Sequence, residues 1–167
     1  MPTPVLHRTR TAAPDPGPLL DLVRAVAADT AAWRPHVRFD ARQRCWSRLL
    51  QTDDVDLWLL TWLPGQQTSL HDHGESAAAV TVLTGTIEEV RADRDGTLTR
   101  EHLTVGDTVW VPQGAVHDVA HAGAGPAVSL HAYSPRLTRM TYYDVGRHGL
   151  RAVRTVEDDQ PEHEETP

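Results

Sequence analysis

The chain has 167 residues, 40% of them hydrophobic, and a formal net charge of −7, which leaves room for one domain with a full hydrophobic core and little more. The acidic balance excludes the basic stripe of a nucleic-acid binder and gives no support for docking on an anionic membrane. No run of eighteen apolar residues occurs, so no spanning helix is expected. The opening stretch MPTPVLHRTRTAAPDPGP lacks the continuous apolar segment of a secretory signal. Cys45 is the only cysteine, which rules out an internal disulfide and makes a reducing cytoplasm the expected compartment.

In chain order, residues 1–17 are rich in proline and threonine and are expected to form a flexible arm. Pro18–Trp33 places Leu19, Leu20, Leu22, Val23 and Val26 on one helical side, the pattern of a short amphipathic helix packed on the outside of a larger body. Pro35 forbids its continuation. From residue 37 the pattern changes to short extended segments. These are Val37–Phe39, Arg44–Leu50, a strongly apolar Val55–Leu63, Ser69–His73, Ala79–Leu83, Thr86–Ala92, Leu98–Leu103, Thr108–Val111, Val116–His121, Val128–Tyr133 and Met140–Val145. Turns rich in Asp, Gly and Pro separate them, and strands this short and evenly punctuated predict an all-β sandwich or barrel. One domain over residues 18–156 results, and the remaining EDDQPEHEETP at 157–167 is expected to be a disordered acidic tail.

Ten histidines is a high number for this length. His71-Asp72-His73 puts two imidazoles at i and i+2, which on an extended strand share one face and can reach one ion, while Asp72 faces the other way. His117 supplies a third imidazole after Pro112-Gln113-Gly114. Three neutral imidazoles suit iron, zinc, copper or nickel rather than magnesium or calcium. An isolated HxH is a weak signal; its framing is what carries weight. Gly65 stands six residues before His71, Gly85 ends the next strand, and Gly106, Pro112, Gly114 and His117 recur as G-x5-P-x-G-x2-H. Together these strings resemble the two motifs of the cupin superfamily, whose fold is a small jelly-roll β-barrel.

Many cupins carry a glutamate four or five residues after the HxH pair as a fourth ligand. Here Ala77 and Ala78 stand there, and Glu75 is too close in sequence to match. The implied ligand set is therefore His71, His73 and His117, with coordination positions left open as catalysis requires. The string Ser129-Leu130-His131-Ala132-Tyr133-Ser134-Pro135 alternates Ser129, His131 and Tyr133 on one strand face. Together with HDH it resembles cysteine dioxygenase, a cupin that oxidises the cysteine thiol to a sulfinic acid. The resemblance covers roughly residues 44 to 145.

That resemblance implies an iron(II) enzyme acting on a small-molecule thiol and dioxygen, monomeric as family members commonly are. It implies a Ser129–His131–Tyr133 relay beside the metal, and Arg48, in Trp46-Ser47-Arg48, as the arginine that holds the substrate carboxylate. It further implies a cis peptide at Ser134-Pro135. The mammalian thioether to the relay tyrosine is not possible, because its cysteine position is Ala78. Other readings of the same residues stay open: Arg48 as a surface ion-pair partner, His131 and Tyr133 as a satisfied core pair, Trp46 and Trp62 as packing residues, and Met140 as a cavity wall. His121 fits either a place behind the metal or an exposed edge. Two alternatives compete with L-cysteine oxidation. One is a dioxygenase of 3-mercaptopropionate, in which a glutamine replaces the arginine (Gln66 and Gln67 lie near the site in sequence). The other is a non-catalytic metal-binding cupin sensor.

Overall fold

The computed structural model describes residues 15–157. Asp15 accepts a hydrogen bond from the Gly17 amide and caps helix α1, Pro16–Ala28. The helix thus takes up the last two residues of the arm expected at 1–17. Residues 1–14 of that arm, and all but Glu157 of the expected acidic tail, lie outside the described residues. Asp29 ends α1 and caps a separate turn, α2 (Thr30–Trp33), followed by a 3-10 turn at Arg34–His36. The single helix expected over 18–33 is therefore split. The cause is local: the Asp29 side chain accepts from the Ala31 amide, offering the backbone an alternative to helix continuation.

Eleven strands follow: β1 (Trp46–Gln51), β2 (Asp56–Trp62), β3 (His71–Asp72), β4 (Ala77–Thr84), β5 (Thr86–Ala92), β6 (Leu98–Thr104), β7 (Thr108–Val111), β8 (Val116–Ala122), β9 (Ala127–Ser134), β10 (Met140–Gly146) and β11 (Gly149–Val156). They form two antiparallel sheets, β1-β2-β9-β4-β7 and β11-β10-β3-β8-β5-β6, the all-β architecture expected of a jelly-roll barrel. Two expectations are corrected. Val37–Phe39 is not a strand: the Arg38 carbonyl is used by the Thr61 hydroxyl at 2.6 Å rather than by a ladder. The series also does not end at Val145, because β11 returns along β10 as a hairpin. Most of β11 is exposed, so it lacks the apolar alternation by which a half-buried strand is recognised.

Alternation explains why β2 is buried along its whole length. Trp58, Leu60 and Trp62 enter the core between the sheets, whereas Leu57 and Leu59 join Leu19 and Val23 of α1 in a second core on the outer face. Strand β9 divides the same way. Val128, Leu130 and Ala132 lie under the helix, which leaves Ser129, His131 and Tyr133 on the opposite, barrel-facing side. Gly85 closes the tight β4–β5 turn at φ 73°, where a Cβ would sit 2.5 Å from the Pro126 carbonyl oxygen. Any other residue there would be both strained and obstructed.

Candidate metal centre and its cavity

Strand pairing brings the three histidines together. His71 on β3 is the direct cross-strand partner of His117 on β8, and His73 follows two residues on. All three are buried. His73 Nε2 lies 3.1 Å from His71 Nε2 and 3.3 Å from His117 Nε2, and one ligand atom from each histidine falls within 4.8 Å of the others.

The proton inventory fits a metal. His71 Nδ1 is 2.7 Å from the Ser69 carbonyl and His117 Nδ1 is 2.9 Å from Glu89 Oε1. Both acceptors require Nδ1–H, so each Nε2 presents a lone pair to the same point. Converging lone pairs repel one another unless a cation or a proton lies between them. The buried His73 Nδ1 has no hydrogen-bond partner among the described residues. Burial and the neighbouring His117 lower the His71 pKa to about 3, and the same two causes hold His73 well below the ordinary histidine range. Neutral imidazoles are the ligand form.

These depressed values make a pH prediction with a definite sign. Below the ordinary histidine pKa of 6.5 the unfolded chain binds protons that the folded chain refuses, down to about pH 3 for His71. Stability of the metal-free protein is therefore complete above the unfolded value of 6.5 and is lost as pH falls below it. His131, lowered by burial first and by His117 second, adds to the effect. A urea midpoint measured on metal-free protein should drop between pH 7.5 and 5, by a free energy on the order of several kcal/mol. A midpoint independent of pH over that range contradicts the assignment.

Behind the triad stands a carboxylate that the sequence reading missed. Glu89, on β5 diagonal to His117, is buried. Burial alone would raise its pKa, but the bond from His117 and the Arg91 charge outweigh this and hold it below the ordinary value. Arg91 Nε reaches Glu89 Oε2 at 3.1 Å and its Nη2 donates to the Trp110 carbonyl at 2.7 Å. The available signal was parity, since Glu89 shares a strand face with the core residue Ile87. Asp72 faces away from the metal point as expected. It accepts from the Gly74 amide at 2.9 Å and from the Tyr143 hydroxyl at 2.7 Å. Burial and Asp72 push the Tyr143 hydroxyl up to about 12.

Ser129 and His131 meet at 2.8 Å between Oγ and Nε2, and the Trp62 indole donates to the same Oγ at 2.9 Å. Tyr133 packs against His73 edge-on, with ring centroids 4.9 Å apart. Across β4 its direct partner is Ala78, which offers no sulfur for a crosslink. The Ser134–Pro135 peptide is cis.

A small cavity reaches the triad at His71 and His117; Arg44, His131 and Tyr133 line it as well, with Leu60, Thr68 and Val119 completing the wall. Arg48 is not among these residues. Its Nε lies 3.7 Å from the fully buried Asp56, and its guanidinium sits 4.2 Å from the centre of the Trp58 ring. The arginine in the cavity is Arg44, buried, with its guanidinium 4.7 Å over Trp62.

The remaining candidates fall outside the cavity lining. Gln66 is spent on the Leu63 amide and the Asp40 carbonyl, and Gln67 and Glu75 are exposed. His121 binds the Gly125 carbonyl at 2.8 Å in the β8–β9 turn. Met140 belongs to the core, and Trp46 packs edge-on against Trp58. Cys45 is a free thiol of intermediate burial.

The chain resembles solved structures of a protein with a double-stranded β-helix domain from Klebsiella pneumoniae (24% identity, TM-score 0.54, covering 72% of this chain and 93% of that one). It also resembles a cupin superfamily protein from Desulfitobacterium hafniense (19% identity, TM-score 0.52, covering 62% and 87%). These establish the cupin fold. Cysteine dioxygenase type 1 of Rattus norvegicus and of Mus musculus are each 26% identical over 128 residues, 68% of this chain. The chain spans 62% of the length of those relatives. The model of the family described as cysteine dioxygenase type I matches residues 9–146, and a match over that much of the sequence makes this chain a member of the cysteine dioxygenase type I family.

Proposed function

We propose that the protein is an iron(II)-dependent thiol dioxygenase that converts L-cysteine to cysteine sulfinic acid. The observation that carries this reading is the meeting of three elements on one cavity: a three-histidine site, the Ser129–His131 pair with Tyr133, and a buried arginine. The reaction balances without a further reductant. A thiol and dioxygen give a sulfinic acid, and the four electrons lost by sulfur are those that reduce dioxygen.

His71, His73 and His117 would hold the metal, which supplies the redox chemistry and favours the thiolate over the thiol. The chain's own contributions are orientation and the exclusion of water. Arg44 offers a planar fork for the substrate carboxylate, and Trp62 beneath it limits its movement. The carboxylate role implied for Arg48 thus passes to Arg44. Leu60 and Val119 give the substrate methylene an apolar wall. Tyr133, against the ring of His73 and in the cavity lining, is the hydroxyl donor we assign to the reacting atoms.

A second reading, 3-mercaptopropionate as substrate, draws on the lining itself. That lining contains a cation for a carboxylate and no acidic side chain for an ammonium group. Gln66, whose amide is occupied elsewhere, does not favour it. Among the described residues no helix is long and apolar enough to cross a membrane, and a monomer in the cytoplasm remains our proposal.

Oxygen uptake by anaerobically iron(II)-loaded protein, with L-cysteine and 3-mercaptopropionate compared, tests the reading. Uptake with L-cysteine yielding cysteine sulfinate supports it. Preference for 3-mercaptopropionate keeps the site and changes the substrate. Uptake with neither thiol overturns the enzyme and leaves a metal-binding sensor.

A further inference from the structure

We propose that Trp62 is a positioning residue that joins the cavity's cation to the Ser129–His131 pair and fixes which nitrogen of His131 carries the proton. Trp62 is fully buried on the barrel side of β2. Its indole N–H has no acceptor capacity and donates to Ser129 Oγ at 2.9 Å. The other polar contact of Ser129 Oγ among the described residues is His131 Nε2 at 2.8 Å.

Two arrangements of that second bond are conceivable. If His131 carried its proton on Nε2, both bonds would end on Ser129 as acceptor, and the hydroxyl hydrogen would be buried with nothing to receive it, a costly state. If Ser129 donates to Nε2, both hydrogens at the Ser129 oxygen are used, and the remaining Nδ1–H belongs to a residue that lines the cavity. Trp62 thus makes the second arrangement the favoured one and holds His131 as the Nδ1–H tautomer. The pair then ends in an N–H donor, and Tyr133 is the next side chain on that strand face.

The same indole presents its face to Arg44 at 4.7 Å, a cation–π contact in a desolvated setting. Trp62 therefore serves substrate binding through its ring and proton placement through its nitrogen. Variants can separate the two.

The tautomer is independent of the thiol dioxygenase reading; only the kinetic consequences rest on it. The first measurement is the 15N spectrum of His131 in zinc-substituted, histidine-labelled protein, where no paramagnetic broadening occurs. The wild type should show a protonated Nδ1 and a bare Nε2, and Trp62→Phe should mix the two tautomers. A wild-type His131 protonated on Nε2 overturns the proposal even if Trp62→Phe does not fold. With iron(II)-loaded protein, Trp62→Phe keeps a ring under Arg44, so KM for L-cysteine should stay within about twofold while kcat falls roughly tenfold or more. Trp62→Leu should raise KM about tenfold as well. Unchanged kcat and tautomer in Trp62→Phe, or unchanged KM in Trp62→Leu, would overturn the corresponding half. If no thiol is oxidised at all, the functional reading fails while the spectrum still decides the role of Trp62.

Discussion

Replacing Arg44 with glutamine is expected to lower kcat/KM for L-cysteine by roughly 30- to 150-fold, mostly through KM, whereas Arg48→Gln should leave KM within about threefold. The magnitude follows from a charge-assisted contact in a buried site, about 2–3 kcal/mol, against a position outside the cavity lining. Arg48 should instead show its role in stability. It is the cation beside the fully buried Asp56, and removing one partner of a buried pair costs about 3 kcal/mol, less here to the extent that Arg48 is partly exposed. Steady-state kinetics and urea unfolding of the two variants separate these roles. If Arg48→Gln carries the KM defect and Arg44→Gln does not, the carboxylate partner has been misassigned here.

Glu89→Gln is expected to weaken metal binding by about 10- to 100-fold while leaving all three histidines in place. Glutamine can still accept from His117 Nδ1, but it cannot supply the negative charge that raises the imidazole's donor strength, and it leaves Arg91 facing a neutral group. Titration of the metal-free protein with a divalent ion, cobalt or iron, reads this directly. Affinity equal to the wild type would make Glu89 a structural residue only.

The cluster of His71, His73 and His117 was legible in the sequence because its geometry is local. HxH on an extended strand and a third histidine after a proline–glycine turn need only the period of a strand and the punctuation around it. The Ser129–His131–Tyr133 face was legible for the same reason. Arg44 was not, because Arg44 and Arg48 are four residues apart and so have the same parity on an extended segment. What separates them is tertiary: Asp56 and Trp58 hold Arg48, while Trp62 holds Arg44 in the cavity. Glu89 was hidden among ordinary charged residues of a half-exposed strand, and its meaning depends on the β5–β8 register that sets it beside His117. The hairpin strand β11 escaped because an exposed edge carries little alternation. The early end of the first helix lay in a single side-chain bond at Asp29, which a periodicity count does not register.

The most direct test of the central claim is the isotopic content of the sulfur product. Iron(II)-loaded protein turning over L-cysteine under 18O-labelled dioxygen should give cysteine sulfinic acid with both oxygens heavy, one molecule for each dioxygen consumed. Product with one heavy oxygen, or oxygen uptake accompanied only by cystine and peroxide, would contradict a dioxygenase and point to ordinary metal-catalysed thiol oxidation.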